Sequence, residues 1–258
     1  MYRHRIIPCL LRHRSGFYKT HKFKSPKYLG DPINIAKLFN EKEVDELLIV
    51  DIDATRNGAL PDYDFIDQIA SECFMPVCYG GGVRTIEQMK RIFSLGIEKI
   101  ALSSGIIENP SLLQDAATIF GKQSIVAVVD AKSTFLRKHG VCTHNGTKKI
   151  KTSLLSLAKD FERLGAGELV INNVDKDGEM NGYDLSLMKQ VADAVDIPVV
   201  ALGGAGKLED MVEVIQKTGC SAAAAGSLFV YSGVHRAVLV NYPSRDKIDA
   251  AFLLPKEL

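Results

Sequence analysis

Two stretches of this sequence have the make-up of anion sites: GGGVRT at 80–85 and GGAGK at 203–207. Each follows a β-rich apolar run and precedes a helical pattern, and backbone amides at such a turn can close around phosphate oxygens. SSG at 103–105 and GSL at 226–228 end the next apolar runs. The candidate phosphate ligands are therefore Gly82, Ser103 and Ser104 in one site, and Gly204, Gly226 and Ser227 in the other. DKDG at 175–178 adds Asp177 and Gly178 to the second site, or is a simple turn. A tight strand-to-helix turn accounts for one glycine run as well as a ligand does. Two runs at equivalent places favour a ligand with two anionic ends. A third feature is a carboxylate, Asp130, which closes the run SIVAVVD from Ser124. Parallel α/β enzymes place their chemistry where strands give way to loops. The run RIIPCLL from Arg5 ends instead in an aliphatic residue, Leu11.

These residues need elements to hold them. Eight short apolar runs alternate with segments of helical period: IIPCLL from Ile6, ELLIVDI from Glu46, PVCYGG from Pro76, KIALSS from Lys99, SIVAVVD from Ser124, ELVINNV from Glu168, PVVALGG from Pro198 and SAAAAGS from Ser221. Helices are expected from Asp31, Thr85, Ser153 and Leu208, with Asp or Ser at the starts and Gly at the ends as caps. Eight βα units in 258 residues predict one closed (β/α)8 TIM barrel spanning 1–258, in the α/β class. An internal repeat supports it. PVCYGGGVRTIEQM from Pro76 aligns with PVVALGGAGKLEDM from Pro198, GIEKIALSS from Gly96 with GCSAAAAGS from Gly219, and DELLIVDIDATRNG from Asp45 with GELVINNVDKDGEM from Gly167. Two similar half-barrels cover each other's open sheet edges. The same alignment sets RIIPCLL on SIVAVVD, and hence Leu11 on Asp130.

Composition narrows the partners. Lys and Arg number 32 against 31 Asp and Glu, a net charge of +1, which gives no global field for nucleic acid or membrane. The five cysteines have no C-x-x-C spacing and sit in apolar surroundings, as expected of packing residues in a reducing cytoplasm. The N-terminal apolar run is short and broken by Pro8, so neither export nor anchoring is expected. The six histidines have no metal-ligand spacing, and neither a metal nor another cofactor is expected. The stretch RHRSGFYKTHKFKSPKYLG at 12–30 reads as a long loop of the kind that forms lids, and its Arg12, Arg14, Lys19, Lys22, Lys24 and Lys27 suit a phosphate ester or nucleotide sugar.

In sequence order, RIIPCL, GDP at 30–32, DELLIVDI, YGGGVRT, ENP at 108–110, VVDAK, LGAGELV, DKDGEMNGYDL and LGGAG resemble the cyclase subunit of imidazole glycerol phosphate synthase along essentially the whole chain. The resemblance implies a lyase-type subunit of a glutamine amidotransferase in histidine biosynthesis. It would take ammonia from a separate glutaminase subunit, as a heterodimer, through the barrel. The family's channel entrance is a ring of four charges matching Arg5, Glu46, Lys99 and Glu168, here at the starts of what read as alternate strands. A structural salt-bridge cluster is the other reading of these four. The family's acid and base are two aspartates. One matches Asp130 and the other falls on Leu11, while Lys19 coincides with a lysine of a mobile catalytic loop. Leu202, Asn172 and Ser103 also replace the family's usual residues.

A leucine cannot carry a proton, and losing a positioned acid or base costs about 10²- to 10⁴-fold. Asp51, Asp53, Asp177 and Lys19 are the nearest candidates for a substitute. The leading expectation is a divergent paralogue that supplies nitrogen for amidino-sugar or lipopolysaccharide synthesis beside a sugar amidotransferase, acting on a phosphorylated or nucleotide-linked small molecule. The alternatives are a histidine-pathway cyclase making imidazole glycerol phosphate and AICAR, and a non-catalytic ammonia conduit and scaffold. The related barrel isomerase of that pathway shares the repeat, and the charged ring argues against it.

Overall fold

A computed structural model of the protein describes residues 4–134 and 139–253. The expected barrel span of 1–258 thus includes 1–3, 135–138 and 254–258, which lie outside the described residues. The eight runs form eight parallel strands: β1 (Arg5–His13), β2 (Leu47–Asp51), β3 (Val77–Gly80), β4 (Lys99–Leu102), β5 (Ile125–Ser133), β6 (Glu168–Asn173), β7 (Val199–Leu202) and β8 (Ala222–Ala225). Each pairs with the next, and β8 returns to β1 through Arg5↔Ala222, which closes the barrel.

Helices cover the outside, and their ends follow the capping residues. Asp31 accepts from the Asn34 amide at 2.9 Å ahead of the helix Pro32–Glu41, with Pro32 where its missing N–H is harmless. Thr85 and Gln88 form a capping box on Ile86–Ser94. Ser153 caps Leu154–Leu164, which stops at Gly165 in the left-handed region. The large core lies between this layer and the outer face of the barrel. A second, smaller one fills the barrel: Ile7, Cys9, Leu48, Cys78, Ala101, Val126, Val170, Val200, Ala222 and Ala224. The period of two along each strand separates the two sets, and each fully buried Val or Ile stabilises by about 1.5–3 kcal/mol.

The repeat holds at the level of backbone register. Ile6↔Ala223 corresponds to Ile125↔Ile100, Leu48↔Cys78 to Val170↔Val200, and Leu11↔Val50 to Asp130↔Asn172. The equivalence of Leu11 and Asp130 is therefore structural. A one-residue slip in any of these strands would turn its side chains to the other face.

The expected long loop after β1 is instead a β-hairpin, Gly16–His21 with Lys24–Gly30, continuing β1 through Leu11↔Tyr18. Its turn residues Lys22 and Phe23 have φ of 50° and 62°, a geometry usually signalled by Asn-Gly, so the turn was hidden in the sequence. The second half carries the matching hairpin, His139–Thr143 with Lys148–Ser153, joined to β5 through Asp130↔Cys142. Among the described residues no helix is long and apolar enough to cross a membrane.

Candidate functional site

At the N-terminal end of the barrel, four charges meet. Arg5 Nη1 donates to Glu46 Oε2 at 2.5 Å and its Nη2 to Glu168 Oε1, while Lys99 Nζ donates to Glu46 Oε2 at 2.9 Å and Glu168 Oε2 at 3.0 Å. Burial works against the Arg5 and Lys99 charges. Hydrogen bonds and charge from Glu168 and Glu46 outweigh it, and both cations are held above their ordinary range. The strands involved are β1, β2, β4 and β6, so the expected alternation is not kept: the first two are neighbours. Stagger makes this possible, because Leu48 lies beside Cys9, and the start of β2 sits well above Arg5. Beyond this ring the barrel interior is apolar as far as Leu11, Val50, Val128 and Leu202.

At the opposite end a cavity opens. Leu11, Val50, Val128, Asp130, Asn172 and Leu202 form its floor, with Gly82, Ser103 and Ser104 on one wall. Asn172 Nδ2 donates to Asp130 Oδ1 at 3.0 Å. Burial pushes the Asp130 carboxyl up to about 7, the negative charge of Asp177 adds to this, and the Asn172 bond opposes it. Asp130 can thus hold or release a proton near neutral pH. The repeat places Val50 beside Leu11 as Asn172 stands beside Asp130. The first half thus presents an apolar pair, Leu11 and Val50, where the second presents Asp130 and Asn172.

The other phosphate candidates form a separate small recess: Asp177, Gly178, Gly204, Gly226 and Ser227, joined by Lys19. A side chain at Gly204 is prohibited twice, by its φ of +125° and by the Gly182 carbonyl oxygen 2.3 Å from where a Cβ would sit. Ser227 Oγ is buried and has no hydrogen-bond partner among the described residues, as expected of a group awaiting an acceptor. The helix starts beside both sites cap themselves in the same way. Gln88 Oε1 accepts from the Arg84 and Thr85 amides, and Asp210 Oδ2 from those of Gly206 and Lys207. An anion at either site would therefore rely on the glycine amides before the helix and on the serines.

Lys19 does not lie in a loop. It sits in the strand Gly16–His21, 5% exposed, with Nζ 2.6 Å from Asp177 Oδ1 and 2.7 Å from the Thr20 carbonyl. Burying an ammonium demands such partners. The remaining substitute candidates are held by partners, Asp51 within the cavity lining itself. Asp51 accepts from Arg12 Nη1 at 2.9 Å and from the Asp53 and Ala54 amides. Asp53 accepts from the Arg14 amide and pairs with His13, which together outweigh its burial and hold its carboxyl below the usual range. The cavity also takes Thr20 and Phe23 from the first hairpin and His144 and Asn145 from the second, none of which was singled out from the sequence. The Asn145-Gly146 pair was the available signal for the second hairpin. Among the described residues no group of three or more His, Cys, Asp or Glu is placed to hold a metal ion.

Comparison with known proteins places this arrangement. The family described as histidine biosynthesis protein matches residues 5–236. The chain is 48% identical over 249 residues to "Putative imidazole glycerol phosphate synthase subunit hisF2" of Pseudomonas aeruginosa, covering 96% of this chain and 99% of that protein. Over 253 residues it is 48% identical to "Putative imidazole glycerol phosphate synthase subunit HisF" of Leptospira interrogans, covering 98% of this chain and 100% of the relative. To imidazole glycerol phosphate synthase subunit HisF of Exiguobacterium sibiricum it is 37% identical over 246 residues, covering 95% and 96%. The closed barrel, its internal repeat and these similarities along almost the whole length have one explanation: the chain belongs to the histidine biosynthesis protein family, as a homologue of the lyase-type cyclase subunit of imidazole glycerol phosphate synthase.

Proposed function

We propose that this chain is an ammonia-accepting synthase subunit whose glutaminase partner docks at the N-terminal face of the barrel. The observation that carries the reading is the common axis of three features: the Arg5, Glu46, Lys99 and Glu168 ring, the apolar barrel interior, and Asp130 at the far end. A neutral ammonia molecule can cross such an interior, whereas an ammonium ion pays heavily for leaving water. A diffusible intermediate that protonates in water favours two sites enclosed together. The substrate end is read as two anion sites flanking Asp130, fitting a small molecule with phosphate or nucleotide at its ends, with Lys19 holding Asp177 toward one of them.

The acceptor is read as changed from that of the histidine pathway, in a cytoplasmic complex that supplies nitrogen to a sugar amidotransferase for amidino-sugar synthesis. Leu11 supports this, since a leucine stands on the cavity floor where the resemblance implies an acid or base. The alternative is a histidine-pathway cyclase, favoured by the retained Asp130 and by HisF relatives at 37% identity. The deciding experiment mixes the purified barrel with its glutaminase and measures co-elution, glutamine turnover and ammonia-dependent cyclisation of the histidine-pathway ribonucleotide. Co-elution with raised glutamine turnover and weak cyclisation is expected. No co-elution and no change in glutamine turnover refutes the shared channel. Cyclisation near the enzyme median of about 10 s⁻¹ replaces the paralogue reading with the histidine-pathway one.

A further inference from the structure

We infer that His144 is a proton-transfer group of this cavity, serving in place of the carboxylate that Leu11 does not supply. The inference rests on the proposed reading of the cavity as the site where ammonia meets its acceptor. His144 lines the same cavity as Asp130 and Leu11. The hairpin puts it there: Cys142 pairs with Asp130, and His144 follows in the turn after the strand ends at Thr143. Asn145 Nδ2 fastens that turn to the Ile52 carbonyl at 3.0 Å, just past the end of β2.

The ring is oriented. Nδ1 lies 3.0 Å from the hydroxyl of Thr143, itself 2% exposed, and Nε2 has no hydrogen-bond partner among the described residues. The turn is left-handed at His144, Asn145 and Gly146, with φ of 53°, 56° and 76°, a backbone that histidine tolerates as asparagine and glycine do. Glu108 is the charged group that acts on the imidazole, and Lys148 and Arg84 act on Glu108 in turn, while Asp130 and Asp51 line the same cavity. Glu108 accepts from Lys148 at 3.0 Å and makes no hydrogen bond to the ring. The other ionisable side chains at this end, Lys19, Asp51, Asp53 and Asp177, are each held by a partner.

The chemistry needs two such groups. When ammonia condenses with a carbonyl carbon, a C–N bond forms and the C–O bond breaks. Nitrogen gives up two protons, and the oxygen takes two and leaves as water. An imidazolium at His144 gives the first proton to oxygen while the Asp130 carboxylate takes one from nitrogen. A second exchange in the opposite sense, Asp130 to oxygen and nitrogen to His144, restores both. No oxidant or reductant enters. An imidazole exchanges protons near neutral pH, and a leucine cannot.

The test compares His144→Gln, Leu11→Asp and the double variant in ammonia-dependent turnover of the histidine-pathway ribonucleotide, with glutaminase activation measured alongside. The expected result is a 10²-fold or larger fall in turnover for His144→Gln with little change in KM. The fall should be less than tenfold when Leu11→Asp is also present, because the carboxylate then shares the role. Turnover within threefold of wild type for His144→Gln overturns the inference. So does the absence of turnover in wild type and Leu11→Asp alike, whereas loss of glutaminase activation is what counts against the ammonia-accepting reading itself.

Discussion

Replacing Asp130 by asparagine should make the protein more stable above neutral pH while removing its activity. The carboxyl is pushed up to about 7 in the folded protein, against about 3.9 in an unfolded chain. Between those values the unfolded state has released its proton and the folded state has kept it. Stability therefore falls as pH rises from about 4 to about 7, and is flat above. At 1.36 kcal/mol per unit the full loss is about 4 kcal/mol. That is a ceiling, because Asp130 is only partly buried by surface area and faces a cavity that admits water; about 1–3 kcal/mol is expected. Asparagine keeps the shape and a hydrogen bond to Asn172 and never ionises. Thermal melts at pH 5 and pH 8 should show a gap in favour of Asp130→Asn that widens with pH, at roughly 2–4 °C per kcal/mol for a chain of this size. A gap that narrows toward pH 8 would mean that a cation stabilises the Asp130 carboxylate, and the account of burial as the dominant cause would be wrong.

Glu168→Gln leaves Arg5 and Lys99 with one carboxylate between them and should cost about 1–3 kcal/mol, the cations being partly exposed. With the glutaminase present it should lower glutamine-dependent turnover more than turnover on added ammonium, a ratio measured in one assay. Gly204→Ala meets the Gly182 carbonyl at 2.3 Å and should weaken binding of a phosphorylated ligand, or fail to fold, as calorimetry with inorganic phosphate and circular dichroism will show. Thr85→Ala removes a capping box and should cost about 1 kcal/mol in denaturant unfolding without altering turnover. Leu11→Asp should raise ammonia-dependent cyclisation if only a proton-transfer group was lost. Failure of wild type and variant alike, with the glutaminase still activated, would mean that the acceptor has changed.

What the sequence disclosed depended on whether the determinant was local. The βα periodicity, the caps at Asp31, Thr85 and Ser153 and the glycine turns are written in contiguous residues, and each appears where its pattern places it. The half-barrel repeat was legible because both copies keep their turn glycines. The two hairpins were not, for opposite reasons. Lys22-Phe23 adopts a turn that its residue types do not advertise, while Asn145-Gly146 advertises one inside a segment too short and polar to read as strands. Partner choice was the least legible level. Lys19 reads as a lysine of a long basic loop and a catalytic candidate, yet it is buried against Asp177, 158 residues away, and only the closing of β8 onto β1 brings Gly226 against its stem.

Alignment of the halves offers a way to recover such pairs without coordinates. Once Leu11 is set on Asp130, the residue beside each follows from the same offset, and Val50 falls on Asn172. The floor is thus polar where Asp130 and Asn172 stand together and apolar where Leu11 and Val50 do, and an asparagine beside Leu11 would be a buried amide short of a partner. The asymmetry directs attention to the second hairpin, because its tip brings the only imidazole among the described residues that line the cavity.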